Sequence, residues 1–286
     1  MKKILSILLL ATALLAGCSS ATETTTTETE TTETATTEKT TLDNVLESGV
    51  LTVGVSPDYP PMEFFDQNNN PVGSDITLAQ YIADQLGVEL KIETMDFSAV
   101  LTAVDLGKVD LGISGFGWTE DREENYLLST EYNTDAAAES GCNLILVKEE
   151  DVDQYQTFDD FEGKKVAAQA NSIQEEITLG QTPATVEKVA TLDVGLLNLQ
   201  TGKVDGITLS CTVAEGYVAS MDGLALSAPR FEIDEHLGNV AVAKLGNTAL
   251  IDEVNSIMDT VNSDGLYEVW YEDAKALATE NGIIFE

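Results

Sequence analysis

The sequence predicts an α/β protein of two lobes with like topology, each a mostly parallel sheet flanked by helices. Two observations point there. From Leu42 onward, short apolar runs of strand length alternate with stretches whose apolar residues recur at helical spacing. The second half also repeats letters of the first. Gly107-Lys108-Val109-Asp110 leads into Leu111-Gly112-Ile113-Ser114, and Gly202-Lys203-Val204-Asp205 leads into Gly206-Ile207-Thr208-Leu209-Ser210. Each block follows a helical pattern and opens a strand pattern, so the match falls at equivalent points of two strand–helix–strand–helix–strand units. Such units pair their strands in parallel through crossover helices.

The elements follow in order. Leu51–Val55 is a short apolar strand, ended by the loop that holds Pro57, Pro60 and Pro61. Asp75–Leu86 places Ile76, Leu78, Ala79, Ile82, Ala83 and Leu86 on one helical face, with Gly87 at the C-terminal cap position. Glu89–Ile92 reads as a strand, Phe97–Leu106 as a helix and Val109–Ser114 as a strand. In the second unit Lys165–Ala168, Thr185–Ala190 and Val204–Ser210 read as strands, with helices at Ile173–Leu179 and Val194–Gln200.

Ahead of this lies a different kind of sequence. Lys2 and Lys3 precede the apolar run Ile4–Leu15, which is shorter than the ~20 residues of a membrane-spanning helix. Leu15-Ala16-Gly17-Cys18 ends it. Small residues before a cysteine suit signal-peptidase cleavage and lipid transfer to the thiol. Residues 1–17 are therefore expected to be a signal peptide, and Cys18 a lipidated N-terminus. Residues 18–41 are almost only Thr and Glu after the first few. They bury too little apolar surface to order, and read as a disordered tether. The formal charge is −36, which opposes nucleic acid and acidic membranes. The lipid is then the expected membrane contact. The long tether favours a Gram-positive surface over a periplasm.

Ligands of parallel sheets sit at the carboxyl ends of the strands. This singles out the loops Ser56–Phe65, Gly115–Arg122, Gln169–Gln174 and Ser210–Thr212. In Ser114-Gly115-Phe116-Gly117-Trp118-Thr119-Glu120-Asp121-Arg122, glycines let backbone N–H groups approach a ligand, and Arg122 offers a bidentate fork to a carboxylate. Its acidic neighbours leave a surface ion pair as the other reading. Tyr59, Phe97, Phe116 and Trp118 suggest a stacking wall. His236 is the lone histidine and has no nucleophile motif beside it, so neither a catalytic triad nor a histidine-rich metal site is expected. No cofactor motif is present.

Ser56-Pro57-Asp58-Tyr59-Pro60-Pro61-Met62-Glu63-Phe64, Val72-Gly73-Ser74-Asp75-Ile76, the Gly107–Asp110 block, the loop ending in Arg122, Gly163-Lys164-Lys165-Val166, and Asp264-Gly265-Leu266-Tyr267 with Trp270 together resemble the polar-amino-acid solute-binding proteins of ABC importers. The resemblance implies a two-lobed type II periplasmic-binding-protein fold. Lobe one is then residues 42–138 plus 237–286 and lobe two residues 139–236. Hinge crossings fall near Ala136–Gly141 and Asp234–Gly238. It implies a monomer that binds an amino acid or related small carboxylate, without catalysis, and serves a permease and ATPase.

By the same resemblance Arg122 binds the ligand α-carboxylate, helped by backbone at Gly115 and Gly117 and by Ser172 and Ile173, and Ser114 at the start of that loop is a further ligand-binding candidate. Tyr59 and Phe97 pack on the ligand side chain, and Gln169 meets its distal end. Relatives often carry an acid where Ser56 or Ser210 stands here. The ligand ammonium is then left to hydroxyls and to cation–π contact with Tyr59 or Trp118, or the ligand lacks a free α-amine. Cys142 and Cys211 are expected to pair as a disulfide; two small buried thiols are the alternative. Two other readings stay open: a cyclohexadienyl dehydratase-like enzyme using Glu63 or Glu139, and a solute-sensing surface lipoprotein.

Overall fold

The computed structural model describes residues 39–133, 142–232 and 238–285. The expected signal peptide, Cys18, most of the tether, Glu139, His236 and nearly all of both hinge crossings lie outside them.

Among the described residues two five-stranded sheets share one plan. In lobe one β1 (Val50–Val55) lies between β5 (Glu89–Thr94) and β6 (Leu111–Gly112) and runs parallel to both. Antiparallel β13 (Val242–Lys244) then joins β6 to β7 (Tyr126–Leu128). In lobe two β9 (Lys165–Gln169) lies between and parallel to β10 (Thr185–Val189) and β11 (Gly206–Ser210). Antiparallel β8 (Asn143–Lys148) joins β11 to β12 (Leu224–Leu226). A small antiparallel sheet of β2 (Asp58–Tyr59), β3 (Glu63–Phe65) and β4 (Pro71–Val72) caps lobe one.

The repeated Gly-Lys-Val-Asp block has a physical meaning at both places. The Asp110 carboxylate accepts from Thr52 N–H at 2.8 Å, and its own N–H donates to Thr52 C=O at 2.8 Å. Asp205 does the same with Lys165, at 2.8 and 2.7 Å. Each aspartate thus pins the start of the third strand to the first, which fixes the register of the parallel pair. Val109 and Val204, in between, are buried.

Helix α2 (Ser74–Leu86) turns Leu78, Ala79, Ile82 and Ala83 onto the sheet, and the Gly87 N–H closes it on Ala83 C=O. Leu51, Val53, Leu111, Val254 and Met258 complete that core. Each fully buried Leu, Ile, Val or Met among them contributes about 1.5–3 kcal/mol. Gly73, just before α2, has φ +129°, and a Cβ there would sit 2.1 Å from Met62 C=O. No side chain fits, so the small sheet docks tightly on the helix start.

The expected strand Val109–Ser114 is reduced to Leu111–Gly112, because Asp110 is committed to Thr52 and Gly115 turns the chain at φ +58°. The first helix, α1, opens at Thr41 inside the expected tether, capped by Thr40 and Asp43. A helix at Cys211–Ser220 follows β11 directly.

Candidate functional site

The carboxyl ends of the parallel strands meet between the lobes, around a cavity of about 20 Å³. Lobe one lines it with Tyr59, Phe97, Ser114, Gly115, Gly117 and Arg122. Lobe two contributes Gln169, Ser172, Ile173 and Gln174. This space admits a water molecule and nothing the size of an amino acid, so larger solutes enter only as the lobes part.

Arg122 is the third residue of a short helix, α4 (Glu120–Asn125), whose N-cap Thr119 accepts from the Arg122 N–H at 3.1 Å. The side chain is 4% exposed. Its guanidinium donates to Gly117 C=O and, at 2.6 Å, to Asn171 C=O of lobe two. It also stands 5.4 Å from the Phe116 ring centroid and 5.9 Å from that of Phe97. Among the described residues no carboxylate stands within ion-pair distance of it. Burial pulls its pKa down to about 10, so it remains a cation at neutral pH. Carbonyls and ring faces partly offset the loss of water, and a ligand carboxylate would complete the offset.

Beneath the cavity lies a carboxyl pair. Asp75, fully buried at the start of α2, accepts from Gly115 N–H at 2.7 Å, Tyr132 OH at 3.0 Å and Tyr267 OH at 2.6 Å. Glu63, also fully buried, accepts from Ser114 Oγ at 2.8 Å, and no donor faces its Oε2. Burial, then the nearby Asp75 charge, holds the Glu63 carboxyl well above the usual carboxylate range. Burial raises the Asp75 carboxyl as well, but the donors on its oxygens lower it again, so Asp75 is the better-held anion of the pair and anchors the Gly115 turn.

A second carboxylate works across the cleft. Asp58 takes Ser56 Oγ–H at 2.9 Å on one oxygen. On the other it takes Gln169 Nε2–H at 2.8 Å and Leu192 N–H at 2.8 Å, the last at the first residue of the lobe-two helix α6 (Leu192–Gln200). Beside it Tyr59 OH donates to Ser210 Oγ at 2.8 Å. Burial raises the Tyr59 pKa to about 12.

The family model for bacterial extracellular solute-binding proteins, family 3, matches residues 51–273. The chain belongs to this family. An arginine-binding extracellular protein of Bacillus subtilis is 29% identical over 234 residues, covering 79% of this chain and 87% of that protein. An L-cystine-binding protein of Escherichia coli is 30% identical over 229 residues, with coverages of 77% and 82%. A crystal structure of an amino acid ABC transporter substrate-binding protein from Streptococcus pneumoniae, bound to L-arginine, superposes with a TM-score of 0.75 at 30% identity. It covers 82% of this chain and 98% of that one. The two-lobed fold expected from the sequence is the fold of these solute-binding proteins.

In this family 3 protein the structure brings Tyr59, Phe97, Ser114, Gly115, Gly117, Arg122, Gln169, Ser172 and Ile173 to one cavity. It places four other candidates elsewhere. Phe116 is fully buried beneath Arg122, its ring tilted against that of Phe97 at 4.6 Å, so it supports the cation from below. Trp118 packs on the cluster around Phe97 and Phe116. Ser56 is buried and spends its N–H on Ser114 Oγ and its hydroxyl on Asp58. Ser210 steadies Tyr59. The Gly115 N–H, expected on a ligand carboxylate, is turned inward to Asp75.

Asp58, Asp75 and Gln174 have no role assigned from the sequence, although Asp58 and Gln174 lie in candidate loops and Asp75 in a motif of the resemblance. Cys142 and Cys211 flank the Asn143–Ser210 end of the β8–β11 pair. Their Cα atoms are 5.5 Å apart and their sulfurs in bonding contact.

Proposed function

We propose that the protein captures a cationic amino acid between its lobes and hands it to an ABC importer. The observation behind this reading is the buried Arg122 cation at the cavity wall, which suits an α-carboxylate. The arginine-, histidine- and cystine-binding names among its relatives support an amino acid. A positive ligand side chain suits the −36 charge of the whole chain. The Glu63 carboxyl points into the carboxyl pair and does not line the cavity, which favours capture over chemistry.

The test is thermal unfolding with L-arginine, L-lysine and L-histidine, and with agmatine, which keeps the guanidinium and lacks the carboxylate. A binding amino acid at a hundred times its dissociation constant stabilises by about 2.7 kcal/mol. Agmatine is expected to give little or no shift. Equal shifts for agmatine and arginine would sink the carboxylate clamp.

The anchor forms part of the proposal: Cys18 is acylated and holds a monomeric, monofunctional binding head outside the membrane of a Gram-positive cell. Fatty-acid labelling of the wild type and of Cys18→Ser reads this directly. A Cys142–Cys211 disulfide spanning 69 residues is expected to contribute about 2–4 kcal/mol, chiefly by restricting the unfolded chain. Intact mass after alkylation without reductant checks the bond, and two freely alkylated thiols would disprove it. Denaturant unfolding with and without reductant measures its contribution.

A further inference from the structure

We infer that Asp58 is a positioning residue that fixes the amide of Gln169 and so makes the inner end of the cavity select a hydrogen-bond donor on the ligand. This rests on the amino-acid reading above and specifies the side chain it takes. Arg122 and Ser172 form the wall that the cavity shares with an outer groove, whereas Tyr59 and Gln169 line the cavity alone. Arg122 therefore marks the outer pole and the Tyr59–Gln169 pair the inner one.

Hydrogen bonding sets the polarity of that inner pole. Asp58 offers only lone pairs, so the Gln169 group 2.8 Å away is its NH₂. The same nitrogen lies 3.4 Å from Ala190 C=O, a second acceptor. Both Gln169 protons thus point into protein, and Oε1 is the end left for the ligand. Tyr59 has spent its proton on Ser210, and Ser114 has spent its own on Glu63. Ser172 donates to Gln169 C=O at 2.7 Å. The hydroxyls on these walls therefore present acceptors, and a guanidinium or ammonium matches them. A neutral carbonyl at the same place would face lone pairs.

The Asp58 carboxylate is itself held by Leu192 N–H and Ser56 Oγ, so it does not rotate to suit the ligand. It stands two residues from Ser56, one of the positions where relatives often carry an acid. Here the acid acts through Gln169 rather than by touching the solute.

The probes are L-arginine and L-citrulline, which differ by one terminal NH₂ replaced with a carbonyl oxygen. Calorimetry on the full chain is expected to show wild type preferring arginine. In Asp58→Ala the carboxylate that faces Gln169 Nε2 is gone, and the glutamine amide is free to turn its NH₂ toward the ligand. The arginine-to-citrulline preference should then fall by about tenfold to a hundredfold, with citrulline affinity held or raised. Gln169→Leu leaves Asp58 in place and removes the amide; it should erase the same preference and serves if Asp58→Ala folds poorly. Binding of both ligands with the preference unchanged in either folded variant overturns the inference alone. Failure of the wild type to bind any amino acid overturns the capture reading and the inference with it.

Discussion

Replacing Arg122 with Met is expected to weaken amino-acid binding by about 2–5 kcal/mol, roughly 30-fold to several thousandfold, without lowering the stability of the ligand-free protein. The two effects have different origins. Met fills much of the volume above Phe97 and Phe116 but removes the only cation at the cavity wall among the described residues. A ligand carboxylate buried there would lose its counter-charge, hence the affinity loss. In the ligand-free protein Arg122 has carbonyl and ring partners but no carboxylate within ion-pair distance among the described residues. Exchanging a buried charge of that kind for an apolar chain is neutral or stabilising. Calorimetry gives the first quantity and thermal unfolding the second. If Arg122 only held the lobes together through Asn171, the outcome would reverse: a lower melting temperature with little change in affinity beyond it.

Arg122 was legible in the sequence because it is one of two arginines and ends a glycine-rich loop at a strand end. The two-lobe plan was legible for a similar reason. Gly-Lys-Val-Asp recurs because both lobes must pin their third strand to their first, and Asp110 and Asp205 do this with the same pair of bonds. What stayed hidden depends on direction rather than spacing. Phe116 sits between two glycines in the same loop as Arg122, yet its ring points down into the core. Gly115 has the freedom a ligand-binding turn needs, but its N–H faces Asp75 from α2, which the local sequence does not reveal. Asp58 resembles any loop aspartate beside a proline. Only the closed lobes bring it to Gln169 and to the N-terminus of α6, more than a hundred residues away in the chain.

The carboxyl pair beneath the cavity leads to the largest expected loss of stability. Asp75→Ala removes an anion that holds Gly115 N–H, Tyr132 OH and Tyr267 OH together, and leaves those donors buried without it. Breaking such a buried charged network costs about 3–5 kcal/mol, and the Gly115 turn should loosen with it, so affinity falls as well. Glu63→Gln tests the other half of the pair and should behave oppositely. Its side chain is neutral at every pH, as the wild-type acid is only while it keeps its proton, and its oxygen still accepts from Ser114. The sign follows from linkage. Glu63 binds its proton more tightly folded than unfolded, so its contribution is complete below its ordinary pKa near 4.5 and is lost as pH rises through the raised value. Wild-type stability should therefore decline as pH climbs toward the alkaline side, and Glu63→Gln should decline less and be the more stable of the two there. Parallel pH profiles for the two proteins would show that Glu63 holds no proton. An Asp75→Ala loss below about 1 kcal/mol would show that the tyrosines and Gly115 find other partners.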